Sequence, residues 1–267
     1  MNRPFFTVTA PRAPMSPLVV EVPHASTWAS AEHLALFGMP ARYLASEADL
    51  YVDELYERAP DAGATLLVGG ISRFVVDLNR AEEDVDAELV DGAPRRTGTT
   101  QGCLWKTTSD GRYVHTRRLS RQEWAERVLQ IYRPYHHALM AAIYERQQRF
   151  GYAILLCGHS MPTAATKADV VPGTRGGLSC APRVTELVLA HAEKSAFHTV
   201  IDKPYPGGYS TRNYGRPSDG VHAIQVELSR SLYMNEVYAA KSDGFEPIKA
   251  WCTELCAQLA RLSLDRP

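Results

Sequence analysis

The sequence lacks the features that direct a chain to a membrane or to nucleic acid. Its 29 lysines and arginines nearly balance its 30 aspartates and glutamates, so the formal net charge is −1. Without a positive field to attract a polyanion, we expect no nucleic-acid partner. No apolar run is long enough to cross a bilayer, and the N-terminal stretch MNRPFFTVTAPRAPMSPLVV lacks the apolar core of a signal peptide. We therefore expect no membrane partner either.

Cysteine is also scarce. The five cysteines are an odd number without the spacing of a disulfide framework, which fits a reducing compartment and predicts a cytoplasmic protein. Cys252 and Cys256 lie four residues apart in a predicted helix, and this spacing suits core thiols better than metal ligands. Repeats, low-complexity tracts and linkers are absent, so the 267 residues, 45% of them hydrophobic, predict one domain over 1–267. The sequence leaves the oligomeric state open.

Apolar runs and periodic stretches alternate along the chain, and this alternation predicts an α/β fold with a mixed β-sheet sandwiched by helices. Strands are predicted at residues 18–22, 64–68, 74–76, 152–157, 197–201 and 223–228, with a ribbon turn at Gly69-Gly70. Helices are predicted at about 41–58, 121–149, 184–196 and 247–262, and Pro134 is expected to kink or split the second. The segments 80–112 and 160–181 show no period and are predicted loops, the first of them long enough for a lid or substrate loop.

Three polar clusters end apolar runs: PHAS after LVVEV, DLNR after RFVV, and GHSMP after YAILLC. Polar groups there are costly as packing but usual in an active site, because α/β folds assemble their sites at strand ends. His24 and His159 occupy matching places in the first and third clusters. Each alone could be a hydrogen-bonded structural histidine, but the two together with nearby acids indicate a metal site. Imidazole nitrogens suit zinc, and a catalytic zinc takes three protein ligands.

The third ligand is expected to be a carboxylate from the predicted helix at 41–58. Glu47, Asp49 and Asp53 are the candidates, and helical geometry does not separate them. A competing interpretation makes Asp49 a capping residue, since Ser46-x-x-Asp49 has the pattern of a helix start. The spacing leaves both interpretations open.

Two further groups suggest substrate binding and proton transfer. Asn79 and Arg80 place an amide and a guanidinium together, a combination that matches a carboxylate, although a plain turn with a surface ion pair has the same pattern. In AIQVELS, Gln225 and Glu227 share one face of a predicted strand, so Glu227 is a candidate general base. The alternative is an ordinary solvent-facing Glu227 with Arg230 as its ion-pair partner.

Five stretches in order, VPHAS, VVDLNR, CGHSMP, KPYPGGY and HAIQVELSRSLYMNE, resemble the N-formylglutamate amidohydrolase (deformylase) family over most of residues 18–236. That family is related in fold to the zinc carboxypeptidases and aspartoacylases. The resemblance implies a zinc-carboxypeptidase-like (phosphorylase/hydrolase-like) α/β fold and one Zn²⁺ per chain. It also implies hydrolysis of N-formyl-L-glutamate to formate and glutamate, late in histidine degradation.

The resemblance also implies roles for particular residues. His24 and His159 match the histidine ligands, and Asp49 matches the acidic position after the first strand. Asn79 and Arg80 would hold substrate. One departure is that the carboxypeptidase pattern has a ligand glutamate three residues after the first histidine, where this chain has a threonine.

Glu227 would be the base that activates water, with Arg80 near the developing oxyanion. A small anionic N-acyl amino acid needs arginines for its carboxylates, and Arg80, Arg175, Arg212 and Arg230 are available, although simple surface exposure also explains Arg175 and Arg212. Two other functions remain open. One is a zinc amidohydrolase for another N-acyl amino acid or peptide-like amide, and the other is a metal-free, non-catalytic binding protein.

Overall fold

A computed structural model of the chain describes residues 3–93 and 100–264. The chain divides into two compact units. Unit 1 comprises Met1–Thr7, Pro23–Leu50 and Gly69–Ala138, and unit 2 comprises Val8–Val22, Tyr51–Val68 and Leu139–Pro267. The single-domain interpretation stays a prediction.

The described residues form eight strands and eight α-helices. The strands are β1 (Phe6–Thr9), β2 (Leu18–Val22), β3 (Thr65–Gly69), β4 (Ala153–Met161), β5 (Val170–Gly173), β6 (Val221–Ser229), β7 (Met234–Asn235) and β8 (Ala240–Lys241). The α-helices are α1 (Ala31–Leu34), α2 (Arg42–Ser46), α3 (Val52–Leu55), α4 (Arg121–Arg127), α5 (Arg133–Phe150), α6 (Pro182–Glu193), α7 (Tyr209–Tyr214) and α8 (Phe245–Arg261). Six strands form a sheet in the order β1-β3-β2-β4-β6-β5, and β7 pairs with β8. The predicted α/β class with a mixed sheet is confirmed.

The centre of the sheet is built from three parallel strands, β2, β4 and β6. Every residue of these strands is buried, as expected for parallel strands covered on both faces. At the sheet edge, β5 runs antiparallel to β6. Parallel strands end at one edge, so the last residues of β4 and β6 are neighbours, and His159 lies in register with Glu227.

The last helix, α8, packs in unit 2 through one apolar face. Its buried residues recur at helical spacing and are Phe245, Ile248, Trp251, Cys252, Leu255, Cys256 and Leu259. Cys252 and Cys256 are free thiols, which confirms the interpretation as core residues. In the part of the chain that the structure describes, no helix is both long and apolar enough to cross a bilayer.

The predicted helix at 41–58 is wrong as a single element. It is divided into α2 and α3, and Tyr51 between them has a left-handed φ of 66°, which an α-helix cannot continue through. The backbone N–H of Asp49 donates to the carbonyl of His24 at 3.0 Å instead of to a helical carbonyl. Asp49 therefore lies in a connection between two helices, and the capping interpretation is wrong because Tyr51 is the residue that caps α3.

Several strand predictions also need correction. Residues 74–76 form a buried turn, because the Ser72 side chain accepts from the Phe74 N–H at 3.3 Å and the Ser72 carbonyl from the Val75 N–H at 2.9 Å. Residues 197–201 contribute one isolated bridge, at Thr199. β4 is longer than predicted, so His159 lies inside the strand and not after it. β1 and β5 were missed, the latter within the predicted loop at 160–181.

The predicted helix at 121–149 is confirmed, with an irregularity in front of Pro134. A π-helical segment, Val128–Tyr132, separates α4 from α5. Pro134 has no N–H to donate to the carbonyl of Gln130, four residues earlier, and the wider π turn accommodates this missing bond. Of the predicted loop at 80–112, the described residues contain isolated bridges and no helix or strand, and residues 94–99 lie outside the described residues.

Candidate active site

His24 is held in unit 1 by a buried carboxylate. It follows β2 by two residues, and its Nε2 lies 2.7 Å from Oδ1 of Asp77, with both side chains buried. An ionised carboxylate accepts a hydrogen bond, so Nε2 carries a proton, and in the neutral imidazole Nδ1 is then the nitrogen with the lone pair. Nδ1 lies 3.7 Å from Oδ2 of Asp49. The histidine therefore presents its basic nitrogen beside a second carboxylate.

Asp77 has a donor on each of its oxygens. The Asn79 N–H donates to Oδ1 at 2.8 Å, and the indole N–H of Trp105 donates to Oδ2 at 2.9 Å. Burial by itself raises the pKa of the Asp77 carboxyl, but nearby His24, Arg80 and Arg73 lower it well below its usual value. Asp77 is thus a permanent anion and a fixed acceptor for His24.

Of the three candidate carboxylates, Asp49 lies beside His24. It is buried, and its Oδ1 lies 3.6 Å from a guanidinium nitrogen of Arg73. Glu47 instead accepts from the Ser109 N–H at 2.9 Å and from its hydroxyl at 2.7 Å. Asp53 lies in α3, where burial raises the pKa of its carboxyl. Asp49 is therefore the candidate that pairs with His24 in unit 1.

Asn79 and Arg80 follow Asp77 by two and three residues in a turn. Asn79 is buried, whereas Arg80 is half-buried. The Arg80 Nε donates to the carbonyl of Gln101 at 2.9 Å, and Nη1 donates to the carbonyl of Asn79 at 3.0 Å. These bonds fix the guanidinium in one orientation, which is what a rigid carboxylate-binding fork requires. The surface-turn alternative does not describe this buried arrangement.

In unit 2, His159 and Glu227 occupy aligned positions of adjacent parallel strands. Side chains in register on neighbouring strands project from the same face of a sheet, so the imidazole and the carboxylate share one side of it. Both residues are buried. The residue before His159 is Gly158, where a Cβ would lie 2.5 Å from the ring of Tyr56. Only glycine lets β4 run this close to Tyr56.

Glu227 is also held by a neighbour in its own strand. The Gln225 side-chain amide donates to Oε1 of Glu227 at 2.8 Å. The amide oxygen of Gln225 accepts from the backbone N–H of Gly208 at 2.9 Å. Gly208 belongs to the KPYPGGY stretch, so one hydrogen-bonded chain connects that loop to the carboxylate.

The loop arginines of unit 2 differ in how they are held. Arg175 is half-buried with a left-handed φ of 55°, and its Nη1 donates to the Gly207 carbonyl at 3.1 Å. Asp202 stabilises this turn by accepting from the N–H groups of Thr174 at 2.5 Å and Gly176 at 2.7 Å. Residues other than glycine held at positive φ cluster at functional sites.

The remaining two arginines are Arg212, which is exposed on α7, and Arg230, which is buried. The Arg230 Nε lies 3.5 Å from the Ser160 hydroxyl, and Nη1 lies 3.8 Å from a carboxylate oxygen of Glu236. Arg230 is therefore near the carboxyl end of β4, whereas the surface alternative describes Arg212.

His24 and Asp49 in unit 1 and His159 in unit 2 are buried, and each offers a side-chain atom that can bind a metal ion. Two imidazoles and one carboxylate are a donor set that catalytic zinc takes. The contact between His24 and Asp77 adds a specific sign of fit, because metal-binding histidines commonly donate their other ring N–H to a carboxylate. The residues present therefore suit a zinc ion.

Three residues in these arrangements received no role from the sequence. Asp77 stands in the DLNR cluster, and Gln225 shares a strand face with Glu227, so a signal existed for both. Asp202 had none, because its bonds to Thr174 and Gly176 join segments that the chain separates by more than 25 residues.

A mixed α/β sheet with buried histidines and carboxylates toward the carboxyl ends of its parallel strands is typical of a hydrolase. The chain matches the N-formylglutamate amidohydrolase family over residues 16–234, and it belongs to this family. The resemblance in its five stretches is thereby confirmed.

Similar proteins support the same assignment. The chain is 31% identical to an N-formylglutamate deformylase of Pseudomonas putida over 261 residues, covering 94% of each chain. It is 31% identical to the enzyme of that name from Pseudomonas aeruginosa, covering 94% of this chain and 95% of the other. The crystal structure of N-formylglutamate amidohydrolase from Ralstonia eutropha JMP134 superposes with a TM-score of 0.90 at 30% identity, covering 96% of both chains. A gene product of Agrobacterium tumefaciens, 19% identical over 95% of this chain and 93% of that one, shares the fold with a TM-score of 0.69.

Proposed function

We propose that this chain is a zinc-dependent amidohydrolase that hydrolyses N-formyl-L-glutamate to formate and L-glutamate, and that it serves histidine degradation in the cytoplasm. The curated relatives are N-formylglutamate deformylases that align with nearly the whole chain. The main structural support for hydrolysis is the alignment of His159 with Glu227 on one face of the sheet. It places a side chain that can bind a metal next to a candidate general base.

In this proposal His24, Asp49 and His159 hold one Zn²⁺ per chain. Asp77 fixes His24 in the tautomer that leaves Nδ1 basic. A zinc ion held by these residues supplies Lewis-acid polarisation of the formyl carbonyl and activation of water. A threonine stands three residues after His24, so the carboxylate of this set comes from elsewhere in the chain, and Asp49 is proposed for it because it lies beside His24.

Glu227 takes a proton from the attacking water through its carboxylate and then delivers it to the nitrogen of the departing glutamate. Such general acid–base catalysis contributes about 10²- to 10⁴-fold in rate. Arg80, oriented by Gln101 and Asn79, stabilises the negative charge that develops on the formyl oxygen.

The substrate's carboxylates give the arginines their role. Formyl is the smallest acyl group, so the two carboxylates of the glutamate moiety must supply most of the binding free energy. Asn79, Arg80, Arg175, Arg212 and Arg230 are the proposed substrate-binding residues. Arg175 and Arg230 are the better placed of the unit 2 arginines, because each is fixed by hydrogen bonds or an ion pair.

The test is formate release from N-formyl-L-glutamate by zinc-loaded protein, by chelated protein, and by protein reloaded with zinc. We expect turnover that disappears on chelation and returns with zinc. Glu227→Gln is expected to retain zinc and lose at least about 10²-fold in kcat, whereas Gln122→Met on the exposed side of α4 is the control. The N-acetyl analogue is expected to react about 10- to 200-fold more slowly, the discrimination that one methyl group supports.

Other outcomes separate the alternatives. No formate release with one zinc bound per chain contradicts the proposed substrate and points to another N-acyl amino acid or peptide-like amide. A purified protein that holds no metal and cannot be loaded contradicts the zinc enzyme and favours a binding protein.

A further inference from the structure

Gln225, the residue beside the proposed base Glu227, is held by a hydrogen bond at each end of its side-chain amide. Gln225 and Glu227 are two residues apart in β6, so their side chains project from the same face of the sheet. Both are buried, and the amide nitrogen of Gln225 lies 2.8 Å from Oε1 of Glu227. A buried carboxylate gains most from a donor whose geometry is fixed.

The other end of Gln225 determines which way its amide faces. Its oxygen lies 2.9 Å from the backbone nitrogen of Gly208, and a backbone N–H can only donate. The oxygen must therefore face Gly208, and the NH₂ group must face Glu227. The amide cannot rotate by 180° without losing both bonds, so Glu227 always meets a donor.

The loop that provides Gly208 is itself tightly placed. Gly173 in β5 pairs with Gln225 across the sheet, and a Cβ at Gly173 would lie 2.8 Å from the backbone nitrogen of Gly207. Arg175 donates to the carbonyl of the same Gly207. The backbone at Gly207 and Gly208, which orients Gln225, is therefore packed closely against β5 and bonded to Arg175.

We propose that Gln225 is a positioning residue for the hydrolytic reaction: it holds the Glu227 carboxylate in the orientation needed for proton transfer and connects it to the loop at Gly208. This inference rests on the proposed function of Glu227 as the base. A carboxylate displaced by about 1 Å from its productive position loses about 10²-fold in rate. The effect is on kcat, since Gln225 acts through Glu227 and not on the substrate's carboxylates.

Two variants remove the donor to Glu227. Gln225→Met removes both hydrogen bonds at similar volume. Gln225→Glu keeps an acceptor for Gly208 but replaces the donor to Glu227 with a second carboxylate. We expect kcat to fall about 10- to 100-fold in both variants, with KM changed less than about threefold. A wild-type kcat in either variant overturns the proposal, because each variant removes the amide donor that holds Glu227. Gln122→Met, which removes an exposed amide–carboxylate bond in α4, is the matched control.

A double-mutant comparison gives the decisive readout. In the Glu227→Gln background, Gln225→Met is expected to change kcat less than about twofold, because there is no base left to position. An equal loss in both backgrounds overturns the proposal and marks Gln225 as structural.

A wild-type protein without formate release contradicts the proposed function itself. The positioning role is then tested by the crystal structure of Gln225→Met. A rotated Glu227 carboxylate supports the role, and an unmoved one overturns it. The same crystal structure serves if Gln225→Glu fails to fold.

Discussion

At the scale of single residues, the most informative side chain is Asp77, which stands in the DLNR cluster but received no role from the sequence. It is fully buried, and its carboxylate contacts the imidazole of His24, the indole of Trp105 and the backbone N–H of Asn79. A buried anion is tolerated only when donors surround it. The residue types of the site could be predicted from the sequence, because histidines and carboxylates are costly to bury at strand ends without a function. The contact between Asp77 and His24 could not, since 53 residues separate them.

The Asp77→Asn variant tests this contact. The amide that it introduces can present an NH₂ group to Nε2 of His24 and so favour the tautomer in which Nδ1 carries the proton. We expect zinc to bind about 10- to 100-fold more weakly, measured by competition with a chelator of known affinity. Asp110→Asn, which alters a carboxylate that accepts from Tyr43 and Thr108, should bind zinc like the wild type. Equal affinities in both variants would contradict the role of Asp77.

The choice of carboxylate ligand is tested by a pair of alanine variants. Asp49→Ala removes a buried carboxylate beside His24 and is expected to lower the zinc content after dialysis. Glu47→Ala removes the bonds to Ser109 and is expected to leave the zinc content unchanged. Metal analysis of the two purified proteins decides between them, and the reverse pattern would show that Glu47 is the ligand.

At the scale of elements, the sequence predicted best where one element buries a continuous apolar run. The predicted strand at 18–22 coincides with β2, and the predicted last helix nearly coincides with α8. It predicted poorly where backbone geometry interrupts a pattern. The apolar spacing at 41–58 is helical, but the left-handed Tyr51 divides the segment. The predicted strand at 152–157 also ended too early, because polar residues follow it in the sequence. In the structure β4 continues through Gly158, His159 and Ser160, which pair with β6 in the buried part of the sheet.

The close contact of β4 with Tyr56 gives a prediction for this element. Gly158→Ala places a methyl group 2.5 Å from the Tyr56 ring, and overpacking of this kind costs about 1–3 kcal/mol. We expect the free energy of unfolding in denaturant to fall by that amount. Gly38→Ala is the control, because its Cβ would meet its nearest atom at 3.4 Å without positive φ, and its change should stay within about 0.5 kcal/mol. Equal stability of both variants would show that Tyr56 moves aside without cost.

At the scale of the whole molecule, the five cysteines report on how far solvent and reagents are excluded from the interior. All are free and buried. Burial raises the pKa of the Cys256 thiol to about 12, and it raises the pKa values of Cys103, Cys157 and Cys252 well above the usual value. The thiolate is the reactive form, so these thiols should be inert in the folded protein.

Thiol labelling tests this closure. A thiol with a pKa of about 12 is protonated at pH 8, with a thiolate fraction of about one in ten thousand. We expect a colorimetric thiol reagent at pH 8 to label Cys256 only as fast as the protein unfolds, and all five thiols to react in denaturant. Labelling should not respond to a change from pH 7 to pH 8 if unfolding limits it. Rapid labelling of several thiols in native buffer would contradict a closed interior.

The alignment of His159 with Glu227 has a consequence for how such a protein can change. The two are brought together by the hydrogen-bond ladder between β4 and β6, to which no loop contributes. Loops that make no bond to the side chains of this site can thus be exchanged or lengthened without altering the spacing of the histidine and the glutamate, whereas Gly208 must stay because it orients Gln225 beside Glu227. A library that varies other loops while keeping both strands, Gly208 and Arg175 intact is therefore the natural route to relatives of this chain with new acyl preferences.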